Sequence, residues 1–171
     1  MPLTPFHWGP ALFIGLLLFP ALDLPVLLIS SVVLDVEPLC VVFFRLSLPL
    51  HGFLHSYLGA SILGVAAAVA VYSLRDPFRE IMRAFGLPQN PSFTRTLLTS
   101  LLGVYSHILL DSLMHGGMRP FYPWEANPLL GVVSDRALYI FCTASFLLGL
   151  ALYASRLVWR PKTRPGGPST P

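Results

Sequence analysis

The chain has 171 residues, 54% of them hydrophobic and 11% charged, with a formal net charge of +3 and a mean hydropathy of +0.69. Ordinary soluble domains carry about 25% charged residues, so this composition excludes a soluble globular enzyme, a disordered chain, a collagen-like repeat and a disulfide scaffold. The basic residues lie at loop ends and in the tail, which is the charge bias of a membrane protein rather than of a nucleic-acid surface, and no nucleic-acid partner is expected.

The N-terminal stretch MPLTPFHWGPALFIGLLLFPALDL has no Lys or Arg ahead of its apolar run. A cleaved signal peptide needs a basic start, so this segment is expected to be retained, and His7 with it. Five apolar stretches follow, at about residues 8–22 (interrupted by Pro20), 25–44, 51–74, 94–115 and 136–159. In lipid an unpaired backbone group has no partner, so each is read as a helix. The fold class is therefore all-α, a polytopic transmembrane bundle of about five helices. Residues 1–160 are expected to form one membrane-embedded domain, and 161–171 a disordered, Pro/Gly-rich cytoplasmic tail.

Ala60, Gly64 and Ala68 recur every fourth residue and give the third helix a small face for close packing. Residues 75–95 read as a basic connection broken by LPQNPS. Residues 116–134 form a Gly/Pro/aromatic loop in which Phe121, Tyr122 and Trp124 suit a membrane interface. Cys40 and Cys142 sit singly in apolar runs and read as small buried hydrophobes. One side of the bundle collects Arg75, Arg79, Arg83, Arg95, Arg156, Arg160, Lys162 and Arg164, the other Arg45, Arg119 and Arg136. The first side should be cytoplasmic, which puts the N-terminus outside and the C-terminus inside a multi-pass inner-membrane protein.

Helix parity then assigns the polar residues. His7 begins the first helix, Asp35 and Glu37 lie near the end of the second, His51 and His55 begin the third, and His107, Asp111 and His115 close the fourth. All five histidines and these three acids converge on one membrane face, whichever way the bundle points. His51 and His55 are spaced i,i+4, as are His107 and Asp111, so each pair would share a helical face. Imidazole and carboxylate together suit zinc, iron or manganese, and acids inside apolar helices need partners. A lone interfacial histidine is a wet amphipathic residue, and Asp111 could be a structural hydrogen-bond partner. Arg45 and Arg119 could be interface anchors or could hold a phosphate.

TPFHWGPAL, SSVVLDVEPL, LHGFLHSYLGA and YSHILLDSLMHGGMRPFYPWEANPL resemble, in this order and across about residues 1–150, the membrane-bound metal-dependent hydrolases, small polytopic bacterial inner-membrane proteins. A remoter similarity runs to the zinc-dependent phospholipase C and P1 nuclease type of all-α enzyme. That resemblance implies His7, Asp35, His55, His107 and Asp111 as ligands, with His51 and His115 as additional ones. The chain lacks the later His-x-x-x-Glu pair of that pattern, so one or two metal ions are expected rather than three.

The function this implies is a metal-dependent membrane hydrolase using a divalent ion, expected to be zinc. Asp35 or Glu37 would be the general base and Arg119 a substrate-phosphate contact, and the 116–134 loop would guide a lipid-like ester or phosphodiester. The alternative is a non-catalytic metal-binding or structural membrane protein. A transporter should carry polar groups through the whole bilayer depth, which the third and fifth helices do not. A bis-histidine haem protein would set its ligands deep in lipid.

Overall fold

A computed structural model describes residues 5–159. The expected tail at 161–171, with Arg160, Lys162 and Arg164, lies outside the described residues. The described chain is all-helical. In order come α1 (Pro5–Leu17), α2 (Leu24–Ser30), a 3-10 turn (Val33–Asp35), α3 (Val36–Phe43), a second 3-10 turn (Phe53–His55), α4 (Tyr57–Ser73), α5 (Arg75–Ala84), α6 (Phe93–Met114) and α7 (Asp135–Val158). Three segments are long and apolar enough to cross a membrane: Leu24–Phe43, Phe93–Met114 and Asp135–Val158. The pair α4 and α5, bent by 75°, makes a fourth if taken as one span.

Serines fix where the long helices start. Ser56 accepts a hydrogen bond from the Gly59 N–H, Ser92 from Arg95 and Ser134 from Ala137. Each satisfies one of the free N–H groups of a helix start, a contribution of about 1 kcal/mol apiece. Small residues then let helices approach. Gly64 of α4 faces Val104 and Leu101 of α6, and Ala60 and Ala68 beside it are fully buried, so the small-residue face packs as expected. Gly9 of α1 meets the carbonyl of Cys142 on α7 so closely that a Cβ there would overlap it. Without a hydrophobic drive between helices in lipid, such close contact is what holds them together. Cys40 and Cys142 are free thiols, and Cys142 is buried. On α7, Ile140, Phe141, Leu147 and Leu148 are more than half exposed, as suits a lipid-facing surface.

Two expectations are corrected. The third helix begins at Tyr57, not at residue 51, because Ser56 is its cap. His51 therefore lies in an irregular segment and His55 ends a 3-10 turn, so they are not an i,i+4 pair on a helix. The stretch 75–95 is not simply a connection. Its first half is α5, strongly amphipathic, and only the LPQNPS part breaks the helix.

Candidate metal centre

The span from Leu24 to Phe43 is interrupted at its middle. Ser30 and Ser31 turn their hydroxyls back onto the carbonyls of Leu27 and Leu28, which competes with helix continuation. The β-branched Val32 and Val33 follow. The Asp35 N–H then bonds to Val32 rather than to Ser31. The Ser31 carbonyl is thereby free of the helix ladder, and it accepts from His107 Nδ1 at 2.8 Å. A carbonyl only accepts, so Nδ1 carries a proton, and in the neutral ring the Nε2 of His107 keeps its lone pair.

The same logic fixes His55. Glu37 on α3 accepts from the Gly52 and Leu54 N–H groups and lies 2.7 Å from His55 Nδ1. A carboxylate holding Nδ1–H leaves Nε2 free, the arrangement in which metal-bound histidines are commonly held. Glu37, expected as a candidate base, thus has both carboxylate oxygens occupied in securing His55 and its loop.

The free nitrogens meet at Asp111. His107 Nε2 and His7 Nε2 each lie 3.2 Å from one of its oxygens. His55 Nε2 and His115 Nε2 lie at 4.0 Å, and Asp35 is 3.9 Å from His107 Nε2. His7 stacks on His107 at 4.0 Å between ring centroids, and His51 stacks on His115 at 4.5 Å. Two groups result, His7 with Asp35 and His107, and His51 with His55 and Asp111. Within each, the ligand atoms lie within 4.8 Å of one another.

Polar atoms this deep normally hydrogen-bond. Among the described residues, the buried side-chain atoms without a hydrogen-bond partner are His7 Nδ1, Asp35 Oδ2, His55 Nε2 and His107 Nε2, and all four belong to this cluster. His107 Nε2 faces a carboxylate oxygen at 3.2 Å with no hydrogen bond between them. In the neutral ring these are two acceptors, which repel unless a metal ion or a proton lies between them. Ligands at about 2.0–2.2 Å from a tetrahedral zinc are separated by about 3.3–3.6 Å, close to the 3.2 Å of the two shortest contacts to Asp111. His51 and His115 lie outside the spans. Burial and the neighbouring His55 and His115 push His51 down to about 4, and burial also lowers His115, so both are neutral near pH 7, the ligating form.

All seven expected metal residues are thus brought together. Arg119 is not among them: it pairs with Glu125 at 2.9 Å on the exposed loop. Phe121, Tyr122 and Trp124 are exposed on the same loop. Asn127 was missed by sequence reasoning. Its amide donates to the carbonyls of Ser112 and His115 and ties the loop to the end of α6. On one side of the cluster, Asp35, His51 and His115 are half-buried. On the other, a narrow apolar crevice between α1, α6 and α7 reaches His7 and Asp111, lined also by Phe6, Met114 and Tyr139.

Residues 3–165 match the model of the YdjM inner membrane protein family, and the chain belongs to that family. The membership and the apolar helices agree on a membrane location. No curated protein and no solved structure matches the chain.

Proposed function

We propose that this protein is a metal-dependent hydrolase of the membrane, with one or two divalent ions, zinc first among them, held by His7, Asp35, His51, His55, His107, Asp111 and His115. The observation that carries the reading is the pair of imidazoles whose protons are fixed outward, by Ser31 and Glu37, while their inner nitrogens face Asp111 without a hydrogen bond. Asp111 lies between both groups and is the candidate bridging ligand.

When bound, such an ion lowers the pKa of a coordinated water and polarises a substrate carbonyl or phosphoryl oxygen. Asp35, half-buried with Oδ2 unpartnered, is the candidate general base for that water. Glu37 is a positioning residue through His55. Water reaches the cluster past His51 and His115. The apolar crevice at His7 and Asp111 opens beside the lipid-facing side of α7, which suits a lipid-like ester or phosphodiester. The pairing of Arg119 with Glu125 gives no support to a phosphate role for it. The cation-rich end with Arg75, Arg79, Arg83, Arg95 and Arg156 is assigned to the cytoplasm, so the metal centre faces outward.

The competing reading is a structural plug in which an imidazolium pairs with Asp111. Elemental analysis of detergent-purified full-length protein separates the two. About one or two zinc equivalents, lost in His107→Ala and Asp111→Ala, are expected. A metal-free wild type, or undiminished metal in both variants, overturns the centre. Chelator-sensitive cleavage of phosphatidylglycerol vesicles or of a long-chain ester then tests hydrolysis itself.

A further inference from the structure

The end of the bundle away from the histidines holds a cavity that the metal centre does not use. Here α5 leaves α4 at 75°. Its sequence RDPFREIMRA sets Arg75, Arg79 and Arg83 at four-residue spacing along one flank and Phe78, Ile81 and Met82 along the adjoining one. A short amphipathic helix bent off an apolar span suits the plane of a membrane surface. Under its apolar side lies a cavity of about 380 Å³, walled by Leu12 and Leu16 of α1, Leu28 of α2, Phe78 and Ile81 of α5, and Tyr153 of α7. Its lining is almost wholly apolar, and an apolar cavity is a poor host for water.

Cations flank this apolar space. Arg79 lines a narrow crevice that shares Pro25, Phe78 and Met82 with the cavity. Arg156 donates to the carbonyl of Leu16, a wall residue, at 2.9 Å, and its guanidinium lies 5.2 Å from the Phe19 ring. The acids nearby are engaged or outnumbered. Asp76 pairs with Arg79 at 3.3 Å, and buried Asp23 accepts from the Thr96 hydroxyl at 2.6 Å. With Glu80 they make three acids against Arg75, Arg79, Arg83, Arg95 and Arg156.

We propose that this cavity holds one acyl chain of an anionic phospholipid, with the lipid phosphate at the rim marked by Arg79 and Arg156. The apolar walls require an apolar occupant, the excess of cations selects a negative headgroup, and the membrane supplies both on one molecule. The site is independent of the metal centre, which is built from the start of α1, the two 3-10 turns with the segment before the second, and the last turns of α6 with its cap.

The test incubates the full-length protein in micelles with equal dioleoyl phosphatidylglycerol and dioleoyl phosphatidylcholine and counts retained lipid by native mass spectrometry. One phosphatidylglycerol per chain is expected, favoured about fivefold over phosphatidylcholine. The double variant Arg79→Gln, Arg156→Gln should keep a lipid but lose the preference. Ile81→Trp, at a half-exposed wall position, should lower retention of both lipids. Zinc content should be the same in all three proteins and reports a folded opposite end. Equal retention of the two lipids by the wild type overturns the proposal, and so does a lipid-free dimer. If the arginine variant fails to fold, the wild-type competition decides alone.

Discussion

The bundle buries a polar cluster at each end, and the two are built on opposite principles. At one end Asp23, 3% exposed, accepts from the Thr96 hydroxyl, its own N–H donates to Thr99, and Arg95 ties the adjacent turn through the Pro20 carbonyl. At the other end Asp111, equally buried, is ringed by four imidazoles, and the unpartnered atoms of His55 and His107 are among those around it. The first arrangement is complete in itself and holds α2 to α6. The second leaves four buried polar atoms unpartnered, and on the proposed reading a cation completes it. A buried acid in a membrane helix is therefore not by itself a functional sign; the state of its neighbours' lone pairs is what separates scaffold from site.

That contrast can be broken by substitution. The largest effect belongs to Asp111→Ala, expected to remove nearly all bound metal as read by elemental analysis. In chelated protein the same change should leave the thermal midpoint level or raise it, because it relieves facing acceptors. A clear fall would make Asp111 a structural partner like Asp23. Glu37→Gln should weaken metal affinity about 10–100-fold, measured against a competing chelator, without abolishing binding. Asp23→Ala should leave metal affinity unchanged and destabilise the fold by about 1–3 kcal/mol in thermal or denaturant unfolding, since Thr96 loses its buried acceptor. The smallest change is expected of Asn127→Ala, about 1 kcal/mol, seen as faster proteolysis of the 116–134 loop with metal retained.

Much of the site was legible because helix parity is a coarse rule that survives local error. His7, Asp35, His107 and Asp111 needed only the correct number of crossings to land together. His51 and His55 also arrived there, although the helix assumed to carry them starts at Tyr57. The ends of α6 and α7 were readable because Ser92 and Ser134 cap them and polar loops flank them. Three things were not readable. The Ser31 carbonyl is a backbone group freed by a local break, and no side chain advertises it. Glu37 and Asn127 act on loop backbone whose path no periodicity records. The helical state of 75–84 was hidden by charge: a basic run beside a proline reads as connector until its apolar residues are set on a helical wheel.

The break at residues 31–35 gives up a ladder hydrogen bond within the span, and the Ser31 carbonyl it releases is taken by His107. A more regular helix there would reclaim the Ser31 oxygen for its own ladder, and His107 would lose the anchor that fixes which nitrogen bears the proton. Substitutions that straighten this segment, such as Ser31→Ala with Val32→Leu, are thus set to yield a sturdier span and a blunter ligand. The local irregularity is the means by which a hydrophobic crossing dictates the chemistry of a ring on another helix.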